Sequence, residues 1–472
     1  MKTEDIIKAP SSGREKIIMM PAFPFLTDCF RTFMLMAIAR ATRANVKVRT
    51  LRSRWYEQMM ISCSDWHELE ASLRDMLENS VPQNIEEVRN VPLTMGALAS
   101  DLSILRKRIL PRLGIEVPKG RVFQQVSMIA QTYAKRIPLG SIIEVLTKPW
   151  RSIVSDDQVL LIPSVEGMKS RHALVKSSFK LPSITRSVNL YESGRFFGLR
   201  DERERGGIKK GMVDVRADEH WWLISLLAIC SCLVSVERID RGEYVHLYLC
   251  VVPEHGFSYD VQVLSRVRDL REKIVGWLRR TGIYMEDLQF MNYLLLMRSY
   301  YELRSEVGTT TLFTKHPLSF KLIGIRAVGR RFSESFEQVL PLERLAVIDL
   351  ALTQAYGEEA EDVAKCLSAL GLALVRILKV YSGLARELAI DRLVVLYKHF
   401  ISSLLEPGRP SYLKPLYELL RTLRIEDYRA RLLGALAKRI MEVEGLEKEE
   451  ARALAIKSFR HIEQALIEVA TR

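Results

Sequence analysis

The amino-acid sequence predicts a predominantly helical α+β protein, and three observations carry that expectation. Apolar residues recur at three- and four-residue spacing through the first 150 residues, β-branched and aromatic runs stand in the middle, and helical patterns follow one another after Gly329. At 472 residues the chain has room for roughly two to four domains of the usual size. The pattern changes divide it into a helical N-terminal region, 1–150, a mixed α/β region, 151–330, and a C-terminal helical bundle, 331–472.

Taken in order, the segments from Phe25 to about Ala41, Trp66–Leu77, Met95–Leu110 and Val122–Lys135 have the amphipathic period of helices. Ser64 and Asp65 precede the second as helix-starting residues, and Glu68 supplies an acidic first turn. Strands are expected at Val159–Pro163 and Tyr244–Val252, and further ones at Thr309–Phe313 and Leu318–Ile325. Between them come helices at about Asp218–Val234, Leu264–Arg280 and Met285–Arg298. Helices then continue at Glu337–Tyr356, Glu359–Tyr381, Ala385–Leu405, Ser411–Leu423, Tyr428–Glu444 and Lys448–Thr471, with short connections that suit antiparallel packing.

Composition removes several function classes. A 48% hydrophobic chain with 17 prolines and 24 glycines is neither disordered nor of low complexity. The longest uncharged apolar stretch, Trp221–Val236, is too short for the ~20 residues of a membrane-spanning helix, and the acidic N-terminus does not read as a secretory signal. A cytoplasmic protein with no membrane partner is expected. Arginine outnumbers lysine 47 to 23, and 6 Asn and 11 Gln are few, a bias that suits a thermophile. The six cysteines lack C-x-x-C spacing and sit mostly in apolar runs, so core packing is expected rather than disulfides or a zinc site.

Motifs for catalysis are missing: there is no phosphate-binding loop, nucleophile elbow, zinc-protease pair or EF-hand. The eight histidines are scattered, and His246 alternates within a strand-like run where a half-buried structural role is expected. Asp214, Glu237, Asp240 and Glu243 are the carboxylates from which a metal-dependent nuclease could be built, but no lysine stands two residues after Glu243 as such sites use. A non-enzyme that needs neither metal nor organic cofactor is expected.

The charge distribution is more informative. Residues 101–200 hold 17 basic against 7 acidic side chains, +10 of the chain's net +13, whereas residues 201–472 are close to neutral. A first cluster, Arg106, Lys107, Arg108, Arg112, Lys119 and Arg121, lies at the ends of predicted helices and in their connections. Cations there also complement helix dipoles, so part of the cluster is expected to be structural. A second cluster, Lys169, Arg171, Lys176, Lys180 and Arg186, runs into a Gly- and aromatic-rich stretch with Arg195, and then into the Gly-flanked pair Lys209 and Lys210. Cations interleaved with glycine and aromatic residues suit phosphate contact and base stacking. Two alternatives stay open beside nucleic-acid binding: the nuclease, and a helical adaptor whose positive charge serves another purpose.

The basic run Ser170–Pro182, the Lys209–Lys210 loop, the apolar helix Trp221–Cys232 and the closing helices together resemble the large subunit of archaeal type I CRISPR interference complexes, the I-A branch in particular. The resemblance implies a non-catalytic, antiviral-defence subunit of a ribonucleoprotein complex. Its partners would be target DNA, guide RNA and other subunits. Base pairing would supply sequence specificity, while the loops around Arg171–Lys180 and Gly206–Gly211 would sense a short motif beside the target.

Overall fold

A computed structural model describes residues 15–21, 24–52, 56–81, 101–120, 122–138, 141–155, 158–163, 171–182, 184, 213–240, 243–284, 286–304, 309–328, 331–361, 390–405 and 445–457, together with individual helical residues within 364–378, 430–441 and at 460. The chain divides into two compact units, one of residues 1–268 and 319–337, the other of 269–318 and 338–472.

The first unit is built around helix α1, Pro24–Arg40. Proline at the first helical position has the φ angle a helix needs and no N–H to leave unpaired. From Phe25 to Ala39 every residue of α1 is buried, so the helix lies within the core rather than on a surface. Strands β1 (Glu15–Pro21), β2 (Lys47–Arg52) and β3 (Tyr56–Ser62) join a later strand, Ser258–Asp260, in a four-stranded sheet of antiparallel pairs. These strands correct the expectation of a wholly helical start. In β2 the period is two, with Val48 and Thr50 buried between exposed Lys47 and Arg49. In β1 the apolar run Ile17–Met20 is too short to show a period of either kind.

Helix α2, Trp66–Glu78, starts where expected: the Asp65 carboxylate accepts from the N–H groups of His67 and Glu68 at 2.9 and 3.3 Å. Its Glu70 carboxylate is buried and accepts from Ile142 and Ile143 N–H at 3.2 and 3.1 Å, so it caps the helix Ser141–Leu146 from a neighbouring element. A second sheet orders Trp150–Ser155, Gln158–Pro163, Val213–Ala217 and Phe179–Lys180, with one parallel pair, Val159–Leu161 beside Val213–Val215. The third orders Arg331–Pro341, Leu318–Val328, Glu243–Pro253 and Leu233–Asp240. Glycine at 324 lets the Phe336 ring lie against the backbone there, where a Cβ would overlap the edge of the ring. The helix Glu219–Cys232 has no polar face; all of Trp221–Ile229 is buried.

The second unit is helical among its described residues apart from strand ends: Leu288–Arg304, Thr309–Lys315, Arg344–Tyr356 and Ile390–Leu405 pack with Trp277, Phe290, Tyr300 and Phe313 inside. Phe290 meets Tyr397 edge to face with centroids 5.3 Å apart, Tyr300 Oη donates to Asp349 at 2.9 Å, and Lys398 pairs with Asp287 at 2.6 Å. Two expectations are corrected here. Thr309–Phe313 is helical despite its threonines, because Phe313 is carried into the core of a helical unit. Arg331–Pro341 is a strand where helix was expected from Glu337 onward; exposed Ser335, Glu337 and Val339 alternate with buried Phe336 and Leu340. The expected helix Ser411–Leu423 lies outside the described residues.

In the first unit α1 also carries a buried ion network. Arg31 donates two parallel bonds to Glu57 of β3 at 2.6 and 2.5 Å and lies 3.4 Å from Asp28, while Lys321 reaches Asp28 at 2.9 Å and Glu337 at 2.8 Å. Burial works against the charge on Arg31, but Glu57 and Asp28 outweigh it and hold the guanidinium protonated above its ordinary range. Removing one partner leaves the other charged and dry, at a cost of about 3–5 kcal/mol. Glu57→Gln is therefore expected to lower the urea midpoint strongly, and Arg31→Met with Glu57→Met to recover most of that loss.

Candidate nucleic-acid interface

Of the fourteen predicted binding residues, Arg106, Lys107, Arg108, Arg112, Lys119, Arg171, Lys176 and Lys180 are within the described residues, and Arg121, Lys169, Arg186, Arg195, Lys209 and Lys210 lie outside them. The first cluster stands on a π-helical turn, Leu105–Ile109, that runs into Leu110–Arg112. The wider turn buries Leu105 and Ile109 and leaves Lys107 and Arg108 exposed. Arg106 is turned inward: it is half-buried and bonded to Gln125, whose amide in turn donates to Gly120 O at 2.6 Å. Its part is to fasten the loop that carries exposed Lys119.

The second cluster follows the helix Arg171–Ser177, with exposed Lys176 in its last turn, and the two-residue strand Phe179–Lys180. That strand pairs antiparallel with Val213–Ala217, and Trp222 Nε1 donates to Lys180 O at 2.9 Å. Adjacent strand residues face opposite ways, so Phe179 is buried while Lys180 is exposed.

Phe179 is where the two clusters meet. The guanidinium carbons of Arg108 and Arg112 lie 5.0 and 4.8 Å from its ring centroid, and Arg112 also donates to Ser177 O at 3.0 Å. Residues some 65 positions apart are thereby joined. Arg216 completes the arrangement by donating to Val175 O and Ser178 O at 3.0 and 3.3 Å. Two guanidinium groups therefore cap the C-terminal carbonyls of the helix Arg171–Ser177, which is the structural use of cations that a helix end invites.

Acids take up part of the local charge. Glu219 lies 3.6 Å from Arg112, Asp218 3.4 Å from Lys148, and Glu78 3.6 Å from Lys135. Among the described residues, Lys107, Lys119, Lys176 and Lys180 are the exposed lysines of the two predicted clusters. Arg216 and Glu219, absent from the predicted set, could not be found from local sequence. Arg216 is isolated within a strand, and Glu219 is an ordinary first-turn acid of the helix that Asp218 caps through Trp221 N–H at 2.8 Å.

The four nuclease candidates are divided between two sheets. Asp214 stands opposite Leu160 in the second sheet, whereas Glu237, Asp240 and Glu243 are on the hairpin of the third, where Glu243 is paired with Arg326. Among the histidines, His220 Nδ1 meets Tyr133 Oη at 2.9 Å, and His246 is buried beside Tyr248 Oη at 3.5 Å. Among the described residues, one group of three His, Cys, Asp or Glu has ligand atoms within 4.8 Å of one another: Cys29, Cys232 and Cys250. All three are buried thiols, as the expected core packing requires, and they lie side by side. Cys232 meets cysteines 203 and 18 positions away rather than its near neighbour Cys230, a juxtaposition no spacing rule anticipates. No protein-family model matches the chain, and no curated protein matches it.

Burial pushes His246 down to about 4 from the ordinary 6.5. As pH falls below 6.5 the unfolded chain takes up a proton that the folded chain refuses, so stability is full above 6.5 and declines toward pH 4. The total from this group is about 3 kcal/mol. Urea titrations at about pH 7, 5.5 and 4.5 should show that decline, and His246→Leu should remove this component of it.

Proposed function

We propose that the chain binds nucleic acid through the joined basic segments 106–119 and 171–180, without catalysing a reaction on it. The observation that carries this reading is the meeting of Arg108 and Arg112 with the Phe179 segment, which assembles cations from two distant stretches of the most basic part of the chain. Arginines held by a ring and by helix carbonyls lose less freedom on meeting a phosphate than mobile ones. The lysines around them supply charge that is not buried.

The more specific form of the proposal follows the architectural resemblance: a large subunit of a crRNA-guided antiviral complex, in contact with target DNA, guide RNA and other subunits. On that reading Arg121, Lys169, Arg186, Arg195, Lys209 and Lys210 also contact nucleic acid, with Lys209 and Lys210 sensing a motif beside the target. No helix among the described residues is long and apolar enough to cross a membrane.

The test is binding of the full chain to labelled duplex and single-stranded oligonucleotides across a salt series. Replacing Lys107, Lys119, Lys176 and Lys180 together by Ala should weaken binding at low salt by about tenfold or more. It should also make log K against log salt shallower, by about 0.9 for each duplex phosphate that is no longer neutralised. A slope that stays the same would overturn the assignment of this surface. Binding that is absent from the native chain would favour the adaptor reading.

A further inference from the structure

The three cysteines that converge in the first unit arrive from separate elements: Cys29 from α1, Cys232 from the end of the helix Glu219–Cys232, and Cys250 from the strand Glu243–Pro253. None has any exposed surface. The Sγ atoms of Cys29 and Cys250 are 3.8 Å apart, and all three Sγ atoms lie within 4.8 Å of one another. A disulfide would need about 2.05 Å. Sulfurs bound at about 2.3 Å to one ion stand about 3.8 Å apart in a tetrahedral set, and about 4.0 Å apart in a planar trigonal one. The Cys29–Cys250 pair has this spacing, and the Cys232 sulfur lies within 4.8 Å of both.

We propose that Cys29, Cys232 and Cys250 form a structural site for a thiophilic d10 metal ion, Zn(II) or Cu(I). Soft sulfur donors without nitrogen or oxygen among them select this class over magnesium, calcium or manganese. On binding, each thiol gives up its proton to solvent as an S–H bond is replaced by a sulfur–metal bond, so three protons leave for one ion bound. Three thiolates with Zn(II) carry one net negative charge and with Cu(I) two. The buried guanidinium of Arg31, two residues from Cys29 and within electrostatic reach of Cys250, offsets the smaller charge better. Coordination number argues the other way, since Cu(I) is satisfied by three sulfurs whereas Zn(II) takes a fourth donor. Both ions share the same three ligands. With no exposed sulfur, the ion would enter as the chain folds rather than exchange afterwards, and its binding energy would add to folding.

The experiment expresses the full chain in cells supplied with zinc or, separately, with copper. The purified protein is then passed through EDTA or a Cu(I) chelator, and retained metal is counted by mass spectrometry. About one equivalent of one of the two ions per chain is expected, with an X-ray absorption shell of three sulfurs, alone for Cu(I) and with one further donor for Zn(II). The arm that retains metal identifies the ion. Cys232→Ala should lower the retained metal about tenfold or more, whereas Cys63→Ser with Cys230→Ser should leave it unchanged. Should Cys232→Ala fail to fold, the native chain decides: less than about a tenth of an equivalent in both arms, or a shell with fewer than three sulfurs, overturns the proposal and leaves the thiols as core packing.

Discussion

The first unit depends on charge held where water is excluded. Arg31 and Asp28 lie one turn apart on a helix with no exposed face, and between them they reach Glu57 in the first sheet and Lys321 in the third. Helix α1 cannot shift by a turn or rotate without breaking a bidentate guanidinium–carboxylate pair in a dry interior, so the network fixes its register against both sheets. Apolar neighbours alone would not specify this. Methionine, leucine and phenylalanine on α1 could repack in several rotations, whereas Arg31 has one set of partners. Thr32 adds a second constraint: its hydroxyl accepts from Val251 N–H at 2.7 Å and so satisfies a strand donor from the helix.

The basic surface obeys a related rule. A cation near helix carbonyls, an aromatic ring or a side-chain amide is drawn into the fold before any ligand arrives, and Arg112, Arg216 and Arg106 are used in this way. Net charge by segment therefore overstates what remains for a partner. It also misses a benefit. Arg108 and Arg112 join the π-helical turn to the segment that follows the Arg171–Ser177 helix, and this junction is the basis of the proposed binding.

Legibility followed the physical origin of each feature. The strand Glu243–Pro253 was readable because Tyr244-Val-His-Leu-Tyr has β-branched and aromatic residues in a buried run, and the start of α2 because Asp65 is a helix cap by its own chemistry. The helix Val261–Thr281 was readable from its apolar period. Strands β1 and Arg331–Pro341 were not, because their identity comes from the neighbours they pair with; the apolar residues of 331–341 also fit a helical face. Thr309–Lys315 failed in the opposite sense, with local preference overridden by packing. At the candidate site, residue type and rough location were legible, but the Phe179 junction and the thiol triangle arise only between residues far apart in the chain.

The helix Glu219–Cys232 connects these observations. Its N-terminal end takes part in the basic region, through Glu219 beside Arg112 and Trp222 on Lys180 O, and its last residue is Cys232 of the thiol triangle. At fourteen residues it spans about 20 Å. Trp221 stacks on Phe30 at 5.1 Å and donates to Val145 O at 2.9 Å, which fixes the first turn of the helix, and burial continues from Trp221 to Ile229. A rod buried on all sides transmits position rather than absorbing it, because neighbouring side chains leave no room for a compensating shift. An ion bound by Cys29, Cys232 and Cys250 would pin one end of this rod to α1. The placement of Lys180 and Arg112 at the other end would then depend on a centre that neither residue touches.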